Sequence, residues 1–198
     1  MKIWVANIGG STGYINLLNR MKNLPDTLKI PDKIITQECG STERFPGLEP
    51  FFDKFTGTNQ IRLHEVKNNP IADVRVSKNP YHIISFTFEI KINKSKMMKI
   101  GFIGAYRNHA NKPTLFIREI DKICQKFNKS TEGFCLAGDF NLTNDDPTLN
   151  NLTDKFNLIS RTTCKHQHRS NVRAKQIDHV LTNLSLTLCT VQVILLRA

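Results

Sequence analysis

At 198 residues the chain has the length of one domain, and 39% hydrophobic residues suffice for a sizeable core. Its apolar runs are a handful of residues long, which excludes a transmembrane helix. Lys and Arg number 28 against 17 Asp and Glu, a net charge of +11 that suits a polyanionic partner, nucleic acid first.

The chain opens with a short β-branched run, 2–7, that ends at Asn7 and a Gly9-Gly10-Ser-Thr-Gly13 turn, so a buried strand is expected there. Those polar and glycine residues also come too early for the apolar region of a signal peptide. Tyr14, Leu17, Leu18 and Met21 fall at helical spacing before Pro25. Residues 31–38 read as a second strand closing on Gln37-Glu38, and 39–59 as loops with little regular structure. The clearest strand is 84–92. Ile84, Phe86, Phe88, Ile90 and Ile92 alternate with polar residues, which predicts one buried and one wetter face. Asn93-Lys-Ser-Lys96 is a hairpin loop, and 99–106 the returning strand. Pro113 opens a helix with Phe116, Ile120, Ile123 and Phe127 as its apolar stripe. A strand at 133–137, a short helix at 147–156 and strands near 157–163, 175–182 and 186–196 complete the series. Strands punctuated by surface helices predict two sheets packed together with helices outside.

Cys39, Cys124, Cys135, Cys164 and Cys189 are odd in number and include no CxxC pair. This argues for reduced thiols and an intracellular setting, nuclear or cytoplasmic.

Gly138-Asp139-Phe140-Asn141 directly follows an apolar strand. A carboxylate and a carboxamide two residues apart on a turn leaving a sheet can share work: Asp139 takes a proton from water while Asn141 donates to a phosphate oxygen. An ordinary Gly-Asp turn is the competing reading. Glu38, at another strand end, is a hard-oxygen ligand suited to Mg²⁺, although a solvated glutamate is commoner there. Asn7, Tyr106 with Arg107, and Asp178 complete a set of polar residues placed where apolar strands run out.

In this order, Asn7, Gln37-Glu38, Tyr106-Arg107, Gly138-Asp139-Phe140-Asn141 and Ile177-Asp178 resemble the endonuclease/exonuclease/phosphatase superfamily, which includes DNase I and the abasic-site endonucleases. The Tyr-Arg pairing and the short helix after the Gly-Asp-Phe-Asn turn look most like endonuclease domains of LINE-type retrotransposons. The resemblance covers nearly the whole chain. It implies a four-layered α/β sandwich, with two mixed β-sheets face to face and helices outside, in a single domain spanning 1–198. It further implies a DNA-cleaving phosphodiesterase using Mg²⁺, with Mn²⁺ as substitute, and a setting within a larger polyprotein that carries a reverse transcriptase. Residue by residue, Glu38 would bind the metal and Asn7 would support the metal and Asp139. Asp139 would orient or deprotonate the attacking water, Asn141 would hold the scissile phosphate, and Tyr106 would contact the phosphate or developing charge. Asp178 corresponds to the carboxylate that orients a catalytic histidine.

There are departures. The Ser-Asp-His motif that closes the family pattern is absent, and 191–198 lies about where it would begin, so the chain reads as truncated at its C-terminus. Gly9 stands where a second acidic ligand is often found, and Asp139 and Asp178 are closer in sequence than usual. His179 follows Asp178, but adjacent strand residues face opposite sides, so it is expected to point away from the site. Cys164, His166 and His168 alternate without an evident fourth zinc ligand and read as part of a basic hairpin.

The segment 155–177 has no acidic residue, while Lys155, Arg161, Lys165, Arg169, Arg173 and Lys175 give six positive charges. Arg161, Lys165, Arg169, Arg173 and Lys175, together with Arg107, are the expected nucleic-acid contacts. A nuclease of reduced activity is the leading reading. A non-catalytic nucleic-acid-binding module of the same fold and a phosphatase for small phosphoesters are its alternatives.

Overall fold

The computed structural model describes residues 3–7, 15–16, 19, 31–39, 49–50, 60–65, 71–77, 81–161 and 178–185. The chain divides into two compact units, Met1–Pro70 with Ile194–Ala198, and Ile71–Val193.

The first unit holds a four-stranded sheet in the order β1-β2-β4-β3. β1 (Ile3–Asn7) runs parallel to β2 (Lys33–Cys39), with Asn7 opposite Gln37. β4 (Gln60–Glu65) is antiparallel to β2, and the two-residue β3 (Glu49–Pro50) pairs with β4. β3 falls within the segment expected to be loops, and most of the rest of that segment lies outside the described residues. Ile34, Ile35, Ile61 and Leu63 are fully buried, and so are Lys33, Thr36 and Gln37. A strand with neighbours on both edges and both faces covered reads as a nearly continuous buried run, and β2 does so from Lys33 to Gln37. Residues 15, 16 and 19 are helical, with Ile15 and Asn19 exposed. The apolar stripe expected for that helix, at 14, 17, 18 and 21, lies outside the described residues.

The second unit holds a six-stranded sheet in the order β5-β6-β7-β8-β10-β9. β5 (Ala72–Val76) lines one edge. β6 (His82–Lys91) and β7 (Met97–Tyr106) form a hairpin in register from His82↔Tyr106 to Lys91↔Met97. Asn93 closes its loop by accepting from the Ser95 N–H at 3.0 Å, the local bonding that suits asparagine to turns. From β7 the chain crosses through α1 (Pro113–Ser130) to β8 (Gly133–Asp139), which lies parallel to β7. α2 (Pro147–Phe156) follows, capped by the Asp146 carboxylate, which accepts from the N–H groups of Thr148 and Leu149. β9 (Ile159–Ser160) and β10 (Asp178–Thr182) are antiparallel to each other, and β10 is antiparallel to β8. The strand expected at 186–196 lies outside the described residues.

The helices cover one face of this sheet. Phe116, Ile120 and Phe127 of α1 and Leu152 and Phe156 of α2 form one core with Ile83, Ile103, Phe134, Leu136 and Leu181. Ile123, expected in the α1 stripe, is only partly buried against that core. Gly101 lets α1 approach: a Cβ there would come within 2.4 Å of Phe127 Cδ2.

β6 corrects one expectation. Its predicted wetter face is dry, since Ser85 and Thr87 are as buried as Phe86, and exposure begins only at Glu89. Successive residues face opposite sides, so the burial of Ser85, Phe86, Thr87 and Phe88 together shows both faces covered, and alternation survives only where the strand leaves the core.

Candidate active site

β8 is buried along its whole length, and its side chains alternate. Phe134 and Leu136 enter the helix-side core, so Cys135, Ala137 and Asp139 face the other way. Directly paired residues on neighbouring strands share a face, and Asp178 of β10 is the register partner of Asp139. The parallel register between β7 and β8 reaches Gly104↔Ala137, so two residues further on Tyr106 shares this face as well. The Arg107 N–H donates to the Asp139 carbonyl at 3.0 Å, which continues that pairing. Tyr106, Asp139 and Asp178 therefore lie on one face at one end of the six-stranded sheet.

The chain then leaves β8 through a tight turn. Gly138 has φ 146°, a value side-chain-bearing residues rarely adopt. Phe140 turns back into the helix-side core, its ring 5.8 Å from that of Phe116. Asn141 adopts the left-handed conformation at φ 48°, tolerated by asparagine, and its N–H donates to Asp139 Oδ1 at 2.9 Å. The Asn141 side chain donates through Nδ2 to the Arg107 carbonyl at 2.7 Å.

Arg107 holds the other side of this turn. Its Nε donates to the Phe140 carbonyl at 2.6 Å, Nη2 to that of Asn141 at 2.5 Å and Nη1 to that of Asn111 at 2.6 Å. The residue is only 5% exposed. Burial pulls its pKa below the usual arginine range, and the nearby Asp146 and Asp139 oppose that pull. Arg107 thereby takes a structural role different from the nucleic-acid contact expected of it, with three of its five N–H donors on main-chain carbonyls. No local pattern signals the difference, since the carbonyls of Phe140 and Asn141 belong to residues 33 and 34 positions away.

His179 points away from the Asp139 face, as strand alternation predicts. It is buried and stacks on Phe140 with ring centroids 5.1 Å apart, and its Nε2 lies 2.8 Å from the Leu142 carbonyl, to which Nε2–H donates. Burial lowers its pKa, against weaker opposing effects from that carbonyl and Asp178. Arg161 follows β9, half-buried, its N–H on the Val180 carbonyl at 2.7 Å and its Nη2 3.4 Å from the Leu184 carbonyl. Lys165, Arg169, Arg173 and Lys175, with Cys164, His166 and His168, lie outside the described residues.

In the first unit, Asn7 ends β1 opposite Gln37. The pairing of β2 with β4 shifts between Gln37 and Cys39, which leaves Glu38 as the extra residue of a bulge at φ 55°. Bulges re-aim side chains at strand ends, and here the residue so placed is the glutamate expected to bind metal. Among the described residues no three His, Cys, Asp or Glu side chains cluster closely enough to hold a metal by themselves. Mg²⁺ is ordinarily held by one or two carboxylates together with waters and substrate phosphates, so a carboxylate with a neighbouring carboxamide fits it as a donor set. None of the described helices is long and apolar enough to cross a membrane.

One further residue lies on the Asp139 face, and the strand-end pattern did not include it. His82 is the register partner of Tyr106, with ring centroids 5.9 Å apart. It has the same parity as Ile84, Phe86 and Phe88, so extending that alternation by two residues toward the N-terminus would have found it.

No family model matches the sequence, nor does any curated protein. Solved structures do match. An endonuclease/exonuclease/phosphatase family protein from Bacteroides thetaiotaomicron is similar at TM-score 0.65 and 14% identity, over 92% of this chain and 82% of that one. The endonuclease domain of TRAS1, a telomere-specific non-LTR retrotransposon, is similar at TM-score 0.61 and 14% identity, over 91% and 83%. Beta toxin from Staphylococcus aureus, a double mutant with bound magnesium ions, is similar at TM-score 0.59 and 14% identity, over 92% and 83%. The likeness establishes the fold, the α/β sandwich of the endonuclease/exonuclease/phosphatase proteins that the sequence predicts.

Proposed function

We propose that the chain is a Mg²⁺-dependent phosphodiesterase that hydrolyses DNA by nicking it. The observation that carries this reading is the convergence of Tyr106, Asp139 and Asp178 on one face at one sheet end, with Asn141 held beside them by Arg107. The likeness to an endonuclease domain and to a beta toxin with bound magnesium ions supports it, and so does the net charge of +11.

In this reading water attacks phosphorus in line, forming a new P–O bond as the bond to the leaving oxygen breaks. The Asp139 carboxylate orients the water and accepts its proton, and solvent protonates the leaving alkoxide. Asn141 spends one amide hydrogen on the Arg107 carbonyl, which leaves the second to donate to a phosphate oxygen. Tyr106 contacts the phosphate or the charge that develops on it. Asp178, paired with Asp139, keeps a second negative group at the reacting end. Glu38, supported by Asn7, would hold Mg²⁺ or Mn²⁺, whose positive charge offsets that of the phosphate and the leaving oxygen. The basic residues Arg161, Lys165, Arg169, Arg173 and Lys175 bind the phosphate backbone, and the DNA-processing setting is a retrotransposon polyprotein.

A nicking time course on supercoiled plasmid with Mg²⁺ or Mn²⁺ tests this. Slow nicking that disappears in Asp139→Ala is expected. DNA binding without nicking under any metal would favour the non-catalytic module, and release of phosphate from small monoesters without nicking would favour the phosphatase.

A further inference from the structure

Four neighbouring strands present one row of side chains at the same end of the six-stranded sheet, on the face away from the helices. In spatial order these are His82 on β6, Tyr106 on β7, Asp139 on β8 and Asp178 on β10. The proposed reaction uses the last three and leaves His82 without a role. His82 is 8% exposed and its ring lies against Tyr106 at 42° between planes. Its Nδ1 is buried and has no hydrogen-bond partner among the described residues. Buried polar atoms are nearly always paired, and one that is not, at a site, points to a ligand.

We infer that His82 is a further binding residue of this site, its imidazole N–H donating to an anionic oxygen of the bound phosphodiester. The inference rests on the function proposed above. Burial alone shifts the His82 pKa, downward, so the ring is neutral near pH 7 and carries one N–H. A neutral donor can meet a phosphate oxygen without bringing a second buried charge beside Tyr106. His179 differs in this respect. Its Nδ1 too has no partner among the described residues, but its Nε2 is committed to Leu142 and its ring is stacked in the helix-side core, which accounts for its position structurally.

The test uses the full chain labelled with ¹⁵N-histidine, the His82 signals being identified by their loss in His82→Phe. A phosphorothioate DNA duplex is added in one arm and inorganic phosphate in another. The His82 ring resonances should move with the duplex, and movement with phosphate alone would mark the anionic oxygen rather than the bases as the ligand. The second measurement is duplex affinity. His82→Asn, whose amide nitrogen falls near the Nδ1 position, should bind within about three-fold of wild type, while His82→Leu should bind about ten-fold or more weakly. Still His82 resonances in a chain that binds the duplex, or equal affinity for the Asn and Leu variants, would overturn the inference and leave the proposed function standing. If wild type binds no duplex at all, both fail together. Should His82→Leu not fold, the resonance measurement on wild type decides alone.

Discussion

Arg107 and Asn141 grip each other from both ends: the Asn141 amide donates to the Arg107 carbonyl at 2.7 Å, and the Arg107 guanidinium donates to the Asn141 carbonyl at 2.5 Å. Between them lies the turn that carries Asp139, whose Oδ1 accepts from the Asn141 N–H. An arginine suits this task because its planar fork offers several fixed donors, whereas a lysine is a point charge on a flexible stem.

Arg107→Leu strips the donor from three carbonyls, and an unsatisfied buried acceptor costs about 1–3 kcal/mol. Water can reach the carbonyls of the half-buried Asn111 and Asn141, so the expected total loss is about 3 kcal/mol, measured by urea unfolding. Arg107→Lys should restore only part of it. Weakened DNA binding at unchanged stability would instead support Arg107 as a nucleic-acid contact.

Stability should fall as the medium turns acidic. His82 and His179 are both held by burial below the ordinary histidine value of about 6.5. Between that value and their lowered ones the unfolded chain binds protons that the folded chain does not. Their contribution is therefore complete above pH of about 6.5 and is lost below it, at no more than ~1.4 kcal/mol per pH unit for each histidine. Urea unfolding at a series of pH values measures this slope, and His179→Gln should reduce it. A slope of the opposite sign would mean that these rings are protonated in the fold.

Glu38 is expected to set the metal requirement. Glu38→Gln removes the carboxylate charge while keeping an oxygen donor on the bulge, and should raise the Mg²⁺ needed for half-maximal nicking roughly ten-fold or more. Mn²⁺ binding followed by electron paramagnetic resonance gives the same comparison without turnover. Equal metal affinity in the two proteins would remove Glu38 as a ligand.

The basic stretch should govern salt dependence. Reversing the charge of Arg169, Arg173 and Lys175 together should flatten the plot of log affinity against log salt, by roughly 0.9 for each phosphate that the chain no longer neutralises. An unchanged slope in fluorescence anisotropy with duplex DNA would mean that other residues neutralise the phosphates.

Much of this was readable in the residues alone. Apolar runs, alternating in β6, fall at β1, β2, β6, β7 and β8, and the places where they stop carry Asn7, Glu38, Tyr106 and Asp139. That information is local, because strand periodicity and the turn preferences of Gly138 and Asn141 act over a few residues. Only the tertiary structure could decide which strand lies beside which. The Asp139↔Asp178 pair, the bulge that isolates Glu38 and the row that includes His82 all follow from pairing register, and the covering of both faces of β6 follows from packing. Arg107 makes the contrast plainest. Read locally it is a cation after a strand and suits DNA. In the fold its donors meet carbonyls that a parallel crossover of some thirty residues brings alongside, and burying a charge against the peptide backbone is a relationship that no local pattern encodes.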